Sequence, residues 1–171
     1  VIVAVDGPAG SGKSTVSRHL ADRLHLKHLD TGAFYRAATL AVLRAGIDPS
    51  SESAVAEAAT HTYRQIDGVT CLDAEDVSAE IRSPEVTGAV SEVSAHPQLR
   101  HLMVDLQREW VAVNGGSAVV EGRDIGSVVF PNADLKVWLT ASHEERARRR
   151  AGETRLTRQE VASELARRDR F

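Results

Sequence analysis

The run Gly7-Pro8-Ala9-Gly10-Ser11-Gly12-Lys13-Ser14-Thr15 fits the pattern G-x-x-x-x-G-K-[ST] at every position. Its chemistry is anion binding. The glycines let the backbone turn sharply and approach a ligand closely. Amide N–H groups gathered at a helix N-terminus, where the macrodipole favours negative charge, can then face a phosphate. Lys13 has the reach for β- and γ-phosphates, and the Ser14 hydroxyl can hold Mg²⁺. The plain alternative is a glycine-rich turn that binds nothing, and the flanking elements argue against it. Val1–Val5 is an unbroken apolar run, as a strand buried on both faces should be, and Val16, Leu20 and Leu24 recur at helical spacing. The ligand implied is a nucleoside triphosphate. What receives its phosphate is left open.

Two further stretches could do chemistry. Asp30-Thr31-Gly32-Ala33-Phe34-Tyr35-Arg36 follows a short strand at 27–30 and opens a helix. Strand ends in open α/β sheets bind ligands, and a helix start suits an anion. Taken alone, Asp30 and Thr31 only cap that helix and Arg36 is a solvated charge. With a triphosphate site one strand away, a role in binding the second substrate is the better reading. Gly122-Arg123-Asp124-Ile125-Gly126 lies just past another apolar strand, 117–121. An Arg–Asp pair there can close a turn. It can also place Arg123 on a substrate phosphate and Asp124 on a polar edge of the substrate, which strand-end placement favours. Arginines crowd residues 146–170. Most of them suit a solvated helical hairpin; the functional alternative is a mobile lid folding over triphosphate.

The elements that must position these groups follow from the pattern. Four core strands are expected at 1–5, 27–30, 117–121 and 135–139, and the first helix runs from about Lys13 to His25. Phe34, Ala37, Ala38, Ala41 and Val42 make the stripe of the second helix, ended by Gly46. An alanine-rich helix is expected at about 53–60. Asp67-Gly68 between two alternating runs reads as a hairpin, with 76–81 as a possible third strand. An antiparallel hairpin does not belong in a parallel core, so 47–82 reads as a small inserted lobe. Ser83-Pro84 and His96-Pro97 open two more helices, and Met103 and Trp110 belong to the core. Ser142-His143-Glu144-Glu145 is a capping-box pattern. His28, a single histidine on a short strand, reads as structural or exposed.

Composition narrows the classes. The 171 residues are 42% hydrophobic and 26% charged, which suits one folded domain. A net charge of -3 and 4% aromatic residues argue against a nucleic-acid binder. A single cysteine, Cys71, allows no disulfide framework. No run approaches the ~20 apolar residues of a membrane span. No leader pattern precedes the first strand, and the expected setting is a cytoplasmic monomer.

Taken together, Gly7–Ser14, Leu29–Arg36, Glu80-Ile81-Arg82 and Gly122–Gly126 with Val128-Val129-Phe130-Pro131 resemble, in order, the bacterial cytidylate (CMP) kinases. The resemblance covers essentially the whole chain. It implies an α/β fold of the three-layer P-loop NTPase kind: a doubly wound parallel sheet, a small antiparallel inserted NMP-binding lobe and a helical lid. The core is 1–46 and 83–171, with the lid at about 143–160 and the inserted lobe at 47–82. The family also has a fifth core strand, expected to lie beyond this sequence. The implied reaction moves the γ-phosphate of ATP to CMP or dCMP, with Mg²⁺. Gly7, Pro8, Ala9, Gly10, Ser11, Gly12, Lys13, Ser14 and Thr15 bind ATP, and Ser14 and Asp30 serve the metal. Lys13, Arg36, Arg123 and Asp124 act in catalysis. Thr31, Tyr35, Arg36, Arg123 and Asp124 bind the CMP side, joined by Arg82, Ser91 and Arg100 and, from the far side, Arg168. Arg146 and Arg150 are the lid residues implied. UMP, or a hydroxyl acceptor with Asp30 as base, as in shikimate kinases, is the rival enzyme reading. An Arg-rich RNA-binding module is the non-enzyme one.

Overall fold

The computed structural model describes residues 1–153 and Ala166. In chain order the elements are β1 (Ile2–Asp6), α1 (Lys13–Leu24), β2 (Lys27–Asp30), α2 (Thr31–Arg44) and α3 (Glu52–Ala58). Then come β3 (Tyr63–Ile66), β4 (Val69–Leu72), β5 (Glu75–Asp76), α4 (Pro84–Val93) and α5 (Pro97–Val113). The last are β6 (Ala118–Gly122), β7 (Leu135–Trp138) and α6 (His143–Glu153). A 3₁₀ turn covers Glu80–Arg82, and a π turn covers Ile125–Val129.

The main sheet has the order β2-β6-β1-β7, with every pairing parallel. Parallel strands cannot be joined by tight hairpins, so each connection crosses a face of the sheet. Alternation then sorts the side chains. Val3, Val5 and Val119 face one layer with Ala21 of α1, while Ala4, Ala118 and Val120 face the other with Phe34, Leu99 and Met103. The sheet is thus the middle of three layers, with α1 on one side and α2, α4 and α5 on the other.

α1 buries a different stripe from the expected one. Val16 and Leu24 are 41% and 47% exposed, and the buried residues are Ser17 and Ala21. The helix leaves the glycine loop directly and lies close to β6, so the small Ser17 and Ala21 take the tightest positions, while Leu20 of the expected stripe is half-buried against the same cluster. In α2 the stripe is as read: Phe34, Ala37, Ala38, Ala41 and Val42 are all buried. Met103 is fully buried and Trp110 nearly so, its indole N–H donating to the Gln65 carbonyl at 3.0 Å.

The hairpin forms at the predicted turn. Asp67 and Gly68 have φ of +48° and +84°, the pair of positive values that a type I′ turn requires. The third run departs from expectation: only Glu75–Asp76 pairs with β4, and the chain then turns into the 3₁₀ turn. Ser78 causes the break, since its hydroxyl accepts from the Thr70 amide and its own amide donates to Asp76 Oδ1. α3 is shorter than read, Glu52–Ala58. Tyr63, Leu72, Val77 and Ile81 join the same cluster as Phe34, so among the described residues segment 47–82 shares its core with α2. Arg44 at the end of α2 clamps this segment from outside, with two bonds to Glu75 and two to Glu80. No helix of the described residues is long and apolar enough to cross a membrane.

Candidate active site

The glycine loop leaves the end of β1 and enters α1 at Lys13. A Cβ on Gly7 would collide with the Leu139 carbonyl oxygen, because the loop passes hard against the end of β7. Gly12 caps α1 at φ +93°, a conformation that L side chains resist. Lys13 and Ser14 begin the helix, so their N–H groups have no intrahelical acceptor. The Lys13 ammonium lies over the loop, donating to the carbonyls of Gly7 at 2.7 Å and Pro8 at 2.8 Å. α6 covers the same loop. Arg146, almost wholly buried, donates to the Ala9 carbonyl at 3.2 Å, and Arg149 to that of Ser11 at 3.3 Å. The α6 cap is half made: Ser142 Oγ accepts from the Glu145 amide, while the Glu145 carboxylate turns to Arg148 and Arg149. The three bonds from these arginines hold its pKa down to about 2.

The second stretch starts α2. Asp30 Oδ1 accepts from the Ala33 amide, and the Thr31 hydroxyl donates to the Glu121 carbonyl at 2.7 Å. Thr31 therefore welds α2 to β6 as well as lining the site. Arg36 is aimed by the Ile81 carbonyl, 3.1 Å away, and Thr87 Oγ1 at 3.0 Å. Arg100 of α5 forms an ion pair with Asp124. Burial pushes the Tyr35 hydroxyl up to about 12; the Arg100 charge pulls the other way.

One cavity of about 250 Å³ unites these parts. It is lined by Ala9, Gly10, Lys13, Ser14 and Asp30, from the glycine loop, the start of α1 and the end of β2. Thr31, Tyr35, Arg36, Arg82, Ser91, Arg100, Arg123 and Asp124 line it too. Gly7, Pro8, Ser11, Gly12 and Thr15 build the loop but do not line the cavity. The Arg150 side chain and Arg168 lie outside the described residues.

Sequence reading missed three groups. Glu121, at the end of β6, is 2% exposed and accepts from the Ser14 hydroxyl at 2.9 Å. Asp6, at the end of β1, accepts from the amides of Ile125 and Gly126, both at 2.8 Å, and so holds the Arg123-Asp124 loop against the glycine loop. Arg149 is the third. A carboxylate ending an otherwise apolar strand was the available signal for Glu121 and Asp6.

The donor set fits Mg²⁺. Hard oxygens converge here: the Ser14 hydroxyl, the Glu121 carboxylate bonded to it, and the Asp30 carboxylate beside Glu121. Burial and then the Glu121 charge raise the Asp30 pKa. Among the described residues no group of three or more His, Cys, Asp or Glu side chains can share a metal. Mg²⁺ takes one or two protein ligands and completes its shell with water and substrate phosphate.

The family model for cytidylate kinases matches residues 3–171. The chain belongs to the cytidylate kinase family. A cytidylate kinase of Mycobacterium leprae is 58% identical over 151 residues, 88% of this chain and 67% of that one. One of Symbiobacterium thermophilum is 48% identical over 180 residues, 99% of this chain and 79% of that one. An uncharacterized protein from Eubacterium ventriosum shares the fold at a TM-score of 0.51 and 10% identity, over 99% of this chain and 71% of that one. This cytidylate kinase family member is therefore an ATP-dependent nucleoside monophosphate kinase with the α/β architecture read from its motifs. The hydroxyl-acceptor and RNA-binding readings are not favoured.

Proposed function

We propose that the chain transfers the γ-phosphoryl group of ATP to the phosphate of CMP or dCMP, giving ADP and CDP or dCDP, with the residues of the shared cavity in defined roles. The observation that supports this is the meeting of Lys13 and Ser14 with Arg36, Arg100, Arg123 and Asp124 around one space. The glycine loop holds the triphosphate. Arg36 and Arg123 take the acceptor phosphate, and the Arg100–Asp124 pair and Ser91 take the base and sugar. Segment 47–82 acts as the acceptor lobe, and α6 as the covering element, with Arg146 and Arg149 moving between loop carbonyls and triphosphate oxygens.

Phosphoryl transfer asks for alignment and charge neutralisation more than covalent chemistry. A nucleoside monophosphate, with a second pKa of about 6, is already mostly a dianion at neutral pH, so no strong base is required. The task is to bring two anions together, and the guanidinium groups and Lys13 supply the opposing charge. Mg²⁺, held through Ser14 with Glu121 and Asp30 near it, would add positive charge at the β- and γ-phosphates. Water must be kept out, since it competes with CMP for the phosphoryl group. The setting proposed is a cytoplasmic monomer. A coupled assay of ADP release with CMP, dCMP, UMP, AMP and shikimate tests the assignment. CMP and dCMP should be turned over at the lowest KM; preference for any of the other three would overturn it.

A further inference from the structure

His28 lies on β2 and has no part in the roles assigned above. Its Nε2 is 3.1 Å from Glu121 Oε1, and only 15% and 3% of the two side chains are exposed. The other Glu121 oxygen accepts from Ser14 Oγ at 2.9 Å. The three side chains form a line from β2, across β6, into the first turn of α1. An ionised carboxylate only accepts, so the imidazole must donate from Nε2. The Ser14 hydroxyl has one proton and gives it to Glu121, which leaves the oxygen lone pairs for a cation. The orientation of that hydroxyl thus depends on the orientation of Glu121. Glu121 is also crowded by a second carboxylate: the half-buried Asp30 pairs with it in register across the two strands. The Glu121 charge raises the Asp30 pKa, and His28 lowers it. A donor on the far side of Glu121 therefore keeps the two acids tolerable side by side.

We propose that His28 is a positioning residue for the divalent cation: by holding Glu121 Oε1 it fixes the carboxylate that aligns the Ser14 hydroxyl, and so sets the metal affinity of the ATP complex. The proposal rests on the metal reading given above. Outer partners of metal sites carry such weight elsewhere, with losses of about 10- to 100-fold when removed.

The test uses Mn²⁺ as an electron paramagnetic resonance probe, titrated into the full chain with a non-hydrolysable ATP analogue. Wild type is compared with His28→Ala, His28→Gln and Glu121→Gln, and thermal unfolding of each is followed in parallel. His28→Ala should weaken Mn²⁺ binding about tenfold. His28→Gln, whose amide can still donate, should recover most of it, and KM for CMP should stay at the wild-type value in both. Mn²⁺ affinity within twofold of wild type in His28→Ala, with Glu121→Gln clearly weakened, overturns the proposal and leaves the metal reading standing. Glutamine no better than alanine at matched thermal stability also overturns it. An unchanged affinity in Glu121→Gln removes the proposal and the metal reading together.

Discussion

Lys13 and Arg123 both bring positive charge to one cavity, and their substitutions should separate kinetically. In the proposed roles Lys13 faces the triphosphate, where charge grows during transfer. Lys13→Ala should lower kcat by about 10²–10³, the scale for losing one electrostatic donor in a transition state. In the same proposal Arg36 and Arg123 face the acceptor in the ground state as well. Arg36→Ala and Arg123→Ala should each raise KM for CMP about 10- to 100-fold, the worth of a charge-assisted hydrogen bond, with KM for ATP little changed. Steady-state kinetics with each nucleotide varied in turn check both. Asp30 offers a pH prediction. Burial and Glu121 raise its pKa above 3.8, so ionising it in the folded state costs stability. That cost is absent at low pH and grows as pH climbs from 3.8 through the raised value. Asparagine keeps the helix cap without the charge. Asp30→Asn should therefore lose less Tm than wild type between mildly acid and neutral pH, measured by calorimetry; parallel profiles would refute this. Most of these residues were legible because their types sit at strand ends or helix starts. Glu121 and Asp6 sit there too, but they act through hydrogen bonds to a hydroxyl and to backbone amides that are close in space and 107 to 120 residues away in sequence.

Elements carry the site by where they end. β1, β2 and β6 finish at the same edge of the sheet, which places the glycine loop, the α2 start and the Arg123-Asp124 loop side by side. Gly122 makes the junction tight: a Cβ there would lie 2.8 Å from Thr31 Oγ1 and 2.6 Å from Ile125 Cδ1. Gly122→Ala should force α2 and the π turn apart and raise KM for CMP. Kinetics at CMP concentrations spanning the wild-type KM would detect the change. The hairpin turn gives a pure stability test. Gly68 is open to space on its Cβ side but holds φ +84°. Gly68→Ala should cost about 1 kcal/mol through backbone strain alone. For a chain of this size that is a Tm drop of about 2–4 °C, with activity retained. The hairpin and α2 were readable from local pattern, since turn chemistry and period agree with the tertiary structure there. α1 was legible only in part: Leu20 packs on the sheet as its period suggests, but Val16 and Leu24 stay exposed and the fully buried positions are Ser17 and Ala21. Ser78 hid the end of the third strand, because a side chain replaces the ladder there.

At the scale of the molecule, the proposed arrangement gathers two polyanionic tails in one cavity, whose cations come from α1, α2, α5 and the loop after β6. Segment 47–82 adds Arg82 to that wall and is tied to the body by a shared core and by Arg44. The cation-rich wall comes from residues far apart in sequence, which is why motifs pointed to each stretch separately while the single cavity emerged only from the fold. The central claim is that both nucleotides occupy that one space. Calorimetric titration with adenosine and cytidine joined 5′ to 5′ through five phosphates tests it directly. One equivalent should bind more tightly than ATP or CMP alone and displace both, since the second contact is made at high effective concentration. Affinity no better than that of ATP, with bound CMP left in place, would contradict the account.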